Sequence, residues 1–224
     1  MGIVGTIVGQ PSTDGGGGPS LPSGLVLRLD AANRGTTENR WDDLSGNDNH
    51  FTAASAGEFP AFVGGVCQFR KASQTHFDGP DLSALTEGEI FYLMAHAGGT
   101  GLCGWSKFGS NAETEYYTLS GATSNIYSSF GSTARYNCGP PSQDLTQYRV
   151  VNIWSATNDW QLNIDGVVEH SYTASNTVSF ASATILGKSH NGYYLDADVK
   201  AVLLFDHKLS ESDREVVETY LESL

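Results

Sequence analysis

The chain is short of basic residues and of long apolar runs, and each shortage argues against a class of protein. Twelve Lys and Arg residues stand against 25 Asp and Glu residues, so the formal net charge is -13. Because each contact to a phosphate of a nucleic acid needs a cation, we expect no nucleic-acid partner. No run of about 18 apolar residues occurs, and the N-terminus lacks the basic and apolar regions of a signal peptide. We therefore expect no membrane partner.

Cysteine is scarce as well, with only Cys67, Cys103 and Cys138 in the chain. Three is an odd number and no two of these residues lie close in the sequence, which argues against a zinc site or a disulfide framework. The pattern favours buried thiols in a reducing compartment. One disulfide with a spare third thiol stays open as an alternative.

Residues 1–23 differ in composition from the rest of the chain. They hold four consecutive glycines between prolines, with Asp14 as the single charge, which predicts an extended N-terminal arm before a body formed by residues 24–224. Such an arm has too little apolar surface to order itself, so we expect either the body of this chain or a neighbouring subunit to hold it. Its expected contact residues are Ile3, Val4, Ile7, Val8, Pro11 and Leu21.

The body alternates short apolar runs with turn signals rich in Gly, Ser, Thr and Asn, which predicts an all-β protein. In its last strand, alternation places Val199, Ala201, Leu203 and Phe205 on one face. Ser210 then has the position of a helix N-cap, and Asp165-Gly166 suits a two-residue hairpin turn.

Three sequence features follow one another along the body of the chain. They are residues 25–31 followed by Trp41-x-Asp43-x-Ser45-Gly46-Asn47-x-Asn49, the hairpin at residues 162–166, and residues 185–187 leading to the strand at 199–205 and the helix at 209–221. In this order they resemble the laminin-G-like branch of the concanavalin A-like jelly rolls. The resemblance implies an all-β, antiparallel two-sheet sandwich with one short C-terminal helix. It does not settle function, because the fold hosts lectins, glucanases, adhesion modules and structural proteins.

The stretch from Trp41 to His50 is dense in Asp and Asn, which favour turns through their side-chain hydrogen bonds. Carboxylate and amide oxygens are also the ligands of calcium. The spacing does not match an EF-hand, so we expect turn chemistry and no cofactor. Calcium at Asp43, Asn47 and Asp48 remains the alternative.

Catalysis has little support in the sequence. Glucanases of this fold place three acids on one strand as Glu-x-Asp-x-Glu, and that spacing occurs at Glu211, Asp213 and Glu215. Here the segment instead suits the first turns of a helix, where the three acids would spread around the axis. The six histidines are scattered without ligand spacing. We expect that the protein is not an enzyme, and a hydrolase would rest on fold analogy alone.

A sugar site needs an aromatic platform beside hydrogen-bonding groups, and the sequence offers several aromatics that could equally pack the two sheets. Trp105, Tyr193, Tyr194 and Asn191 are the candidates for glycan binding, the last three within one loop. The other aromatics considered are Tyr116, Tyr117, Tyr127 and Tyr136.

These features lead to two hypotheses. The first is a structural, non-enzymatic virion protein that decorates or cements a bacteriophage capsid. Its arm would contact the major capsid protein or other virion subunits, and the protein would form homo-oligomers in a virion assembled in the host cytoplasm. The alternative is a carbohydrate-binding or adhesion module, free or on a phage tail or cell surface.

Overall fold

A computed structural model describes residues 20–98, 102–110, 116–118 and 124–224, with the backbone alone for residues 116–118. Short strands and one α-helix make up the described chain. They are β1 (Leu25–Asp30), β2 (Arg40–Trp41), β3 (Phe51–Thr52), β4 (Ala61–Val63), β5 (Val66–Phe69), β6 (Phe77–Asp78), β7 (Gly88–His96), β8 (Leu102–Gly104), β9 (Ser106–Gly109), β10 (Tyr116–Thr118), β11 (Ile126–Ser128), β12 (Tyr136–Gly139), β13 (Arg149–Ala156), β14 (Asp159–Ile164), β15 (Val167–Tyr172), β16 (Phe180–Leu186), β17 (Ala197–Phe205) and α1 (Glu211–Glu222), with 3₁₀ turns at Ala31–Asn33 and Lys71–Ser73.

The strands form an antiparallel β-sandwich, which confirms the predicted fold class. An eight-stranded sheet has the order β15-β14-β13-β7-β17-β5-β4, with β1 also paired to β17. A five-stranded sheet (β2-β3-β6-β16-β9) and a four-stranded sheet (β12-β11-β10-β8) pack against its inner face. The main core between them includes the fully buried rings of Trp41, Trp160 and Phe108. Burial of these large apolar surfaces is the main stabilising term of the fold.

The last strand, β17, lies in the middle of the large sheet between β7 on one side and β1 and β5 on the other. Its alternation differs from the prediction, because a β-bulge interrupts the pairing with β7 between Val199 and Ala201. Val199 therefore faces the inner core, whereas Ala201, Leu203 and Phe205 face the opposite side of the sheet.

Helix α1 covers that outer face, where Val217, Tyr220 and Leu221 are buried against it. The predicted N-cap is confirmed, since the Ser210 hydroxyl accepts a hydrogen bond from the Asp213 backbone N–H at 3.2 Å. No helix within the described part of the chain is long and apolar enough to cross a membrane.

A buried ion pair fixes the helix to the sheet. Glu89 on β7 is fully buried and accepts hydrogen bonds from Arg214 at 2.6 Å and 3.1 Å. The Asn152 amide and the Leu209 backbone N–H each donate to the same carboxylate at 2.8 Å. A buried charge needs such complete pairing, so these four bonds determine where the helix lies.

The hairpin between β14 and β15 confirms the predicted Asp-Gly turn. Asp165 and Gly166 have φ values of 48° and 73°, as a type I′ turn requires. The Asp165 carboxylate accepts hydrogen bonds from the Val150 backbone N–H and the Arg149 guanidinium, both at 2.9 Å. The turn is thereby tied to β13.

Two further predictions concern the cysteines and the arm. Cys67, Cys103 and Cys138 are buried free thiols, as predicted. Arm residues Ile3, Val4, Ile7, Val8 and Pro11 lie outside the described residues. Leu21 packs against the apolar cluster beneath α1 of its own chain, so in this structure its side chain has an intramolecular partner.

Candidate functional site

The predicted glycan-binding loop connects β16 to β17, and we call residues 188–194 the tyrosine loop. Its ends pair as an antiparallel bridge between Lys188 and Tyr194. Inside the loop, the Ser189 backbone N–H donates to the Tyr193 carbonyl at 2.8 Å, and the Gly192 N–H donates to the Ser189 carbonyl at 3.1 Å. Gly192 has φ of 79°, which favours glycine at this position. Hydrogen bonding therefore constrains the loop from within.

Strand β8 and Trp105, the residue that follows it, hold the base of the tyrosine loop. The Gly187 backbone N–H donates to the Trp105 carbonyl at 2.7 Å, and the Asp196 N–H donates to the Cys103 Sγ at 3.1 Å. Gly104 is packed so closely that a Cβ atom there would lie 2.2 Å from the Tyr193 carbonyl oxygen. A loop braced in this way presents its outer side chains in a defined arrangement.

The structure brings Asn191, Tyr193 and Tyr194 together but gives them different surroundings. Asn191 is exposed and Tyr193 is 37% exposed. Tyr194 is half-buried, with the His76 ring edge-on at 5.7 Å and the Lys188 ammonium 5.2 Å from its ring centroid. The tyrosine loop therefore offers an amide, an exposed aromatic ring and a nearby cation to a ligand.

Trp105 is not part of that surface, so the prediction that it forms a platform for a glycan is wrong. Its side chain is 1% exposed and lies in the core, with the rings of His96 at 5.6 Å and Tyr92 at 6.4 Å. Tyr136 is also buried, and the Arg135 guanidinium covers the Tyr127 ring at 4.9 Å. The side chains of Tyr116 and Tyr117 lie outside the described residues.

Beneath the tyrosine loop, His96 and Cys103 approach each other with 3.8 Å between Nδ1 and Sγ. Burial lowers the pKa of His96 to about 4 and raises the pKa of Cys103 to about 11. Both groups are therefore neutral near pH 7. The Cys103 Sγ also accepts the Asp196 backbone N–H, so this pair forms part of the packing at the base of the loop.

Residues 41–50, which we call the turn loop, use their polar groups on the chain itself. The Asp43 carboxylate accepts four hydrogen bonds, from Ser45 N–H and O–H, Arg28 N–H and Asn49 N–H, at 2.7–3.0 Å. The Asn47 amide donates to the Leu25 carbonyl at 2.8 Å. The hydrogen bonds of a turn thus account for the positions of Asp43 and Asn47.

Asp48 points to solvent, with its side chain 92% exposed. No group of three or more His, Cys, Asp or Glu residues within the described ranges is arranged to hold a metal ion. The calcium prediction at Asp43, Asn47 and Asp48 remains a prediction.

Sequence reasoning missed a second opening, a depression of about 400 Å³ that we call the neutral cleft. Three connections form it: the segment before β7, the turn between β13 and β14, and the segment before β16. Because its residues come from separate turns, the sequence carried no local pattern that could reveal the cleft. The residues that line it are Leu85, Thr86, Thr157, Asn158, Asn176, Thr177 and Val178.

The chain is thus an antiparallel β-sandwich whose tyrosine loop follows the carboxyl end of β16. No family model and no curated protein matches it. Solved structures are similar to it. Trypanosoma rangeli sialidase in complex with sialic acid has a TM-score of 0.65 at 16% identity, covering 97% of this chain and 36% of that chain.

Two botulinum neurotoxin structures are also similar. The binding domain of botulinum neurotoxin DC in complex with rat synaptotagmin II has a TM-score of 0.61 at 9% identity, covering 90% of this chain and 52% of that chain. The binding domain of botulinum neurotoxin serotype D/C VPI 5993 has a TM-score of 0.63 at 9% identity, and the match covers 88% of this chain and 52% of that chain. This chain therefore spans about a third of the sialidase and half of the toxin domains, and the likeness is one of fold.

These comparisons correct the first functional hypothesis. The similar structures named here are a sialidase in complex with sialic acid and toxin binding domains, one of them in complex with rat synaptotagmin II. They favour the alternative hypothesis, a carbohydrate-binding or adhesion module, and the capsid-cement interpretation is wrong. The bacteriophage and virion context that depended on it has no support.

Proposed function

We propose that this chain is a non-enzymatic binding module that recognises carbohydrate through the tyrosine loop. The observation that carries the proposal is the braced loop itself. Tyr193 has a partly exposed ring and Asn191 an exposed amide, while hydrogen bonds from the flanking residues Gly187 and Asp196 to Trp105 and Cys103 hold the base of the loop. A rigid aromatic face beside hydrogen-bonding groups suits the apolar and hydroxyl-bearing faces of a sugar.

Two observations support a role without catalysis. Glu211, Asp213 and Glu215 lie in the first turns of α1, where Asp213 takes part in capping through Ser210. Glu89, the fully buried carboxylate, is engaged by Arg214. Retaining glycoside hydrolysis needs two carboxyl groups that face a bound substrate about 5 Å apart, and none of these acids lines the depression of about 400 Å³ described above.

A glycan-binding screen followed by titration of the best ligand tests the proposal. Tyr193→Ala should weaken binding at least about tenfold, because it removes both the aromatic contact and its buried area. Tyr148→Ala is the matched control, since Tyr148 is 40% exposed and lies on the outer face of the large sheet, beside Lys200 and the end of α1. Absence of binding to any glycan at millimolar concentration, or equal losses in both variants, would contradict the proposal.

A further inference from the structure

The neutral cleft lies at the opposite end of the sandwich from the tyrosine loop. Thr86 precedes the amino end of β7 and Val178 precedes the amino end of β16, whereas the tyrosine loop follows the carboxyl end of β16. Nine residues of β7 separate the two ends, or about 30 Å at about 3.3 Å per residue. A ligand in the cleft is therefore independent of one at the loop.

Unused hydrogen-bonding groups surround the cleft. The side chains of Thr86, Thr157, Asn158 and Thr177 are exposed, and none of them makes a hydrogen bond to another described residue. Together they offer three hydroxyl groups and one amide, each able both to donate and to accept. This is the hydrogen-bonding capacity that a ligand bearing several hydroxyl groups requires.

The cleft wall is rigid because Asn176 is fully occupied within the fold. Its Oδ1 accepts hydrogen bonds from the Ser132 hydroxyl at 2.8 Å and the Tyr136 hydroxyl at 3.0 Å. Its Nδ2 donates to the Ser155 hydroxyl at 3.0 Å and the Ala156 carbonyl at 2.7 Å. These four bonds use the whole capacity of the amide, so Asn176 positions the lining and leaves recognition to its neighbours.

An apolar floor completes the site. Leu85 and Val178 are half-buried and pack against the main core while also lining the cleft. A sugar ring has an apolar face of C–H groups as well as hydroxyl groups, and these two side chains offer such a face a contact surface. The volume of about 400 Å³ lies within the range of roughly 300–1,000 Å³ that is usual for small-ligand pockets.

Charge decides which sugars fit. No residue that lines the cleft is charged, although the chain carries a formal charge of -13. The adjacent acids are Glu87 and Asp159, and the Lys208 ammonium already binds Asp159 at 2.6 Å. With no free cation in the lining and two acids beside it, a carboxylate-bearing sugar is disfavoured.

We infer that the neutral cleft binds an uncharged sugar residue, with its C–H face on Leu85 and Val178 and its hydroxyl groups on the three threonines and Asn158. The inference deepens the proposed carbohydrate-binding function and adds a second site to it. Sialic acid, the ligand named with the similar sialidase structure, should not bind in this cleft.

Chemical-shift mapping on the full ¹⁵N-labelled chain tests the inference, with glucose, galactose, mannose and N-acetylglucosamine at millimolar concentration and sialic acid as the anionic comparator. At least one neutral sugar should shift the backbone amides of Thr86, Asn158 and Thr177, and sialic acid should not. The double variant Thr86→Val with Thr177→Val keeps the side-chain shape and removes two hydroxyl groups, so affinity at the cleft should fall at least about tenfold.

The outcomes separate this inference from the proposed function. Thr52→Val, an exposed threonine on β3, is the control and should leave the shifts unchanged. Shifts confined to the tyrosine loop would overturn the cleft site and leave the proposed function standing. Shifts confined to the cleft would support the inference and overturn the tyrosine loop as the binding surface. Cleft shifts that persist unchanged in the double valine variant, or no shifts at either surface, would overturn the inference.

Discussion

The turn loop and the tyrosine loop are both short polar connections rich in Asn, Ser and Gly, and they differ in where their side chains are used. In the turn loop, Asp43 and Asn47 bond to the backbone of the same chain and hold β1. In the tyrosine loop, the backbone supplies the internal bonds, and Asn191 and Tyr193 remain exposed. Polar residues that are satisfied internally build the fold, whereas exposed ones on a braced frame are available to a ligand.

The largest expected effect is a loss of folding stability in acid, caused by the buried His96 at the base of the tyrosine loop. Folding lowers the pKa of His96 from 6.5 to about 4 through burial, so below pH 6.5 the unfolded chain binds a proton that the folded chain does not. Stability is therefore complete above pH 6.5 and falls by about 3 kcal/mol by pH 4. Chemical denaturation at both pH values measures this loss.

The control for that experiment is a second histidine. His96→Gln should reduce the difference in unfolding free energy between pH 7 and pH 4, because the titrating group is gone. His207→Gln, at a half-buried histidine beside Asp206, should leave most of the difference in place. Equal pH dependence in the wild type and in His96→Gln would show that His96 does not weaken the base of the loop in acid.

The second effect tests the turn loop. Asp43→Asn replaces an acceptor oxygen with an NH₂ group that faces backbone donors, so the free energy of unfolding should fall by about 2 kcal/mol. Asp48→Asn in the same loop changes a side chain that is 92% exposed and should alter stability by less than about 0.5 kcal/mol. Urea denaturation of the two variants measures both values, and similar values would refute the contrast within the loop.

The third effect tests the brace of the tyrosine loop. In Gly104→Ala, the new Cβ would meet the Tyr193 carbonyl and the Ser189 N–H, both backbone groups that cannot turn away. The loop must shift, so we expect a stability loss of about 1.5 kcal/mol and weaker glycan binding. Gly57→Ala, where the nearest atom is the Ser55 hydroxyl at 3.9 Å, should change neither thermal stability nor the titration. Full binding by Gly104→Ala would mean that the brace is not needed.

The smallest effect on stability comes from the outer residues of the tyrosine loop. Asn191→Ala removes an exposed amide, so the melting temperature should hardly change, with a stability difference below about 0.5 kcal/mol. Glycan affinity measured by calorimetry should nevertheless fall, because the amide is offered to the ligand. If Asn191→Ala lost stability but kept its affinity, Asn191 would stabilise the fold as Asp43 does in the turn loop, and it would not contact the ligand.

Local patterns predicted much of this fold. Ser210 capping α1 and the Asp165-Gly166 turn involve neighbouring residues only, so the residue types sufficed to predict them. Alternation failed at Val199, because a bulge depends on the pairing of β17 with β7 and not on β17 alone. The prediction for Trp105 failed because burial depends on what packs over a ring, here His96 and Tyr92.

For the candidate sites too, local sequence predicts only what neighbouring residues form together. Asn191, Tyr193 and Tyr194 are adjacent in sequence, so one loop of the chain pointed to them directly. The lining of the neutral cleft spans residues 85–178, and only the packed sandwich brings those turns together. Nothing in the sequence distinguished Asn176, with all its hydrogen bonds made inside the fold, from Asn158, whose side chain makes none.

By itself, the sequence determined the fold class, the positions of most turns and the C-terminal helix, because backbone preference and the period of apolar residues act over a few residues. Tertiary structure alone decided which polar groups are used up inside the molecule and which remain free. That outcome depends on contacts between strands distant in sequence, such as the pairing of β17 with β1, β5 and β7. The neutral cleft combines turns that only the fold brings together, so it became recognisable in the folded chain alone, whereas the tyrosine loop could be predicted from adjacent residues.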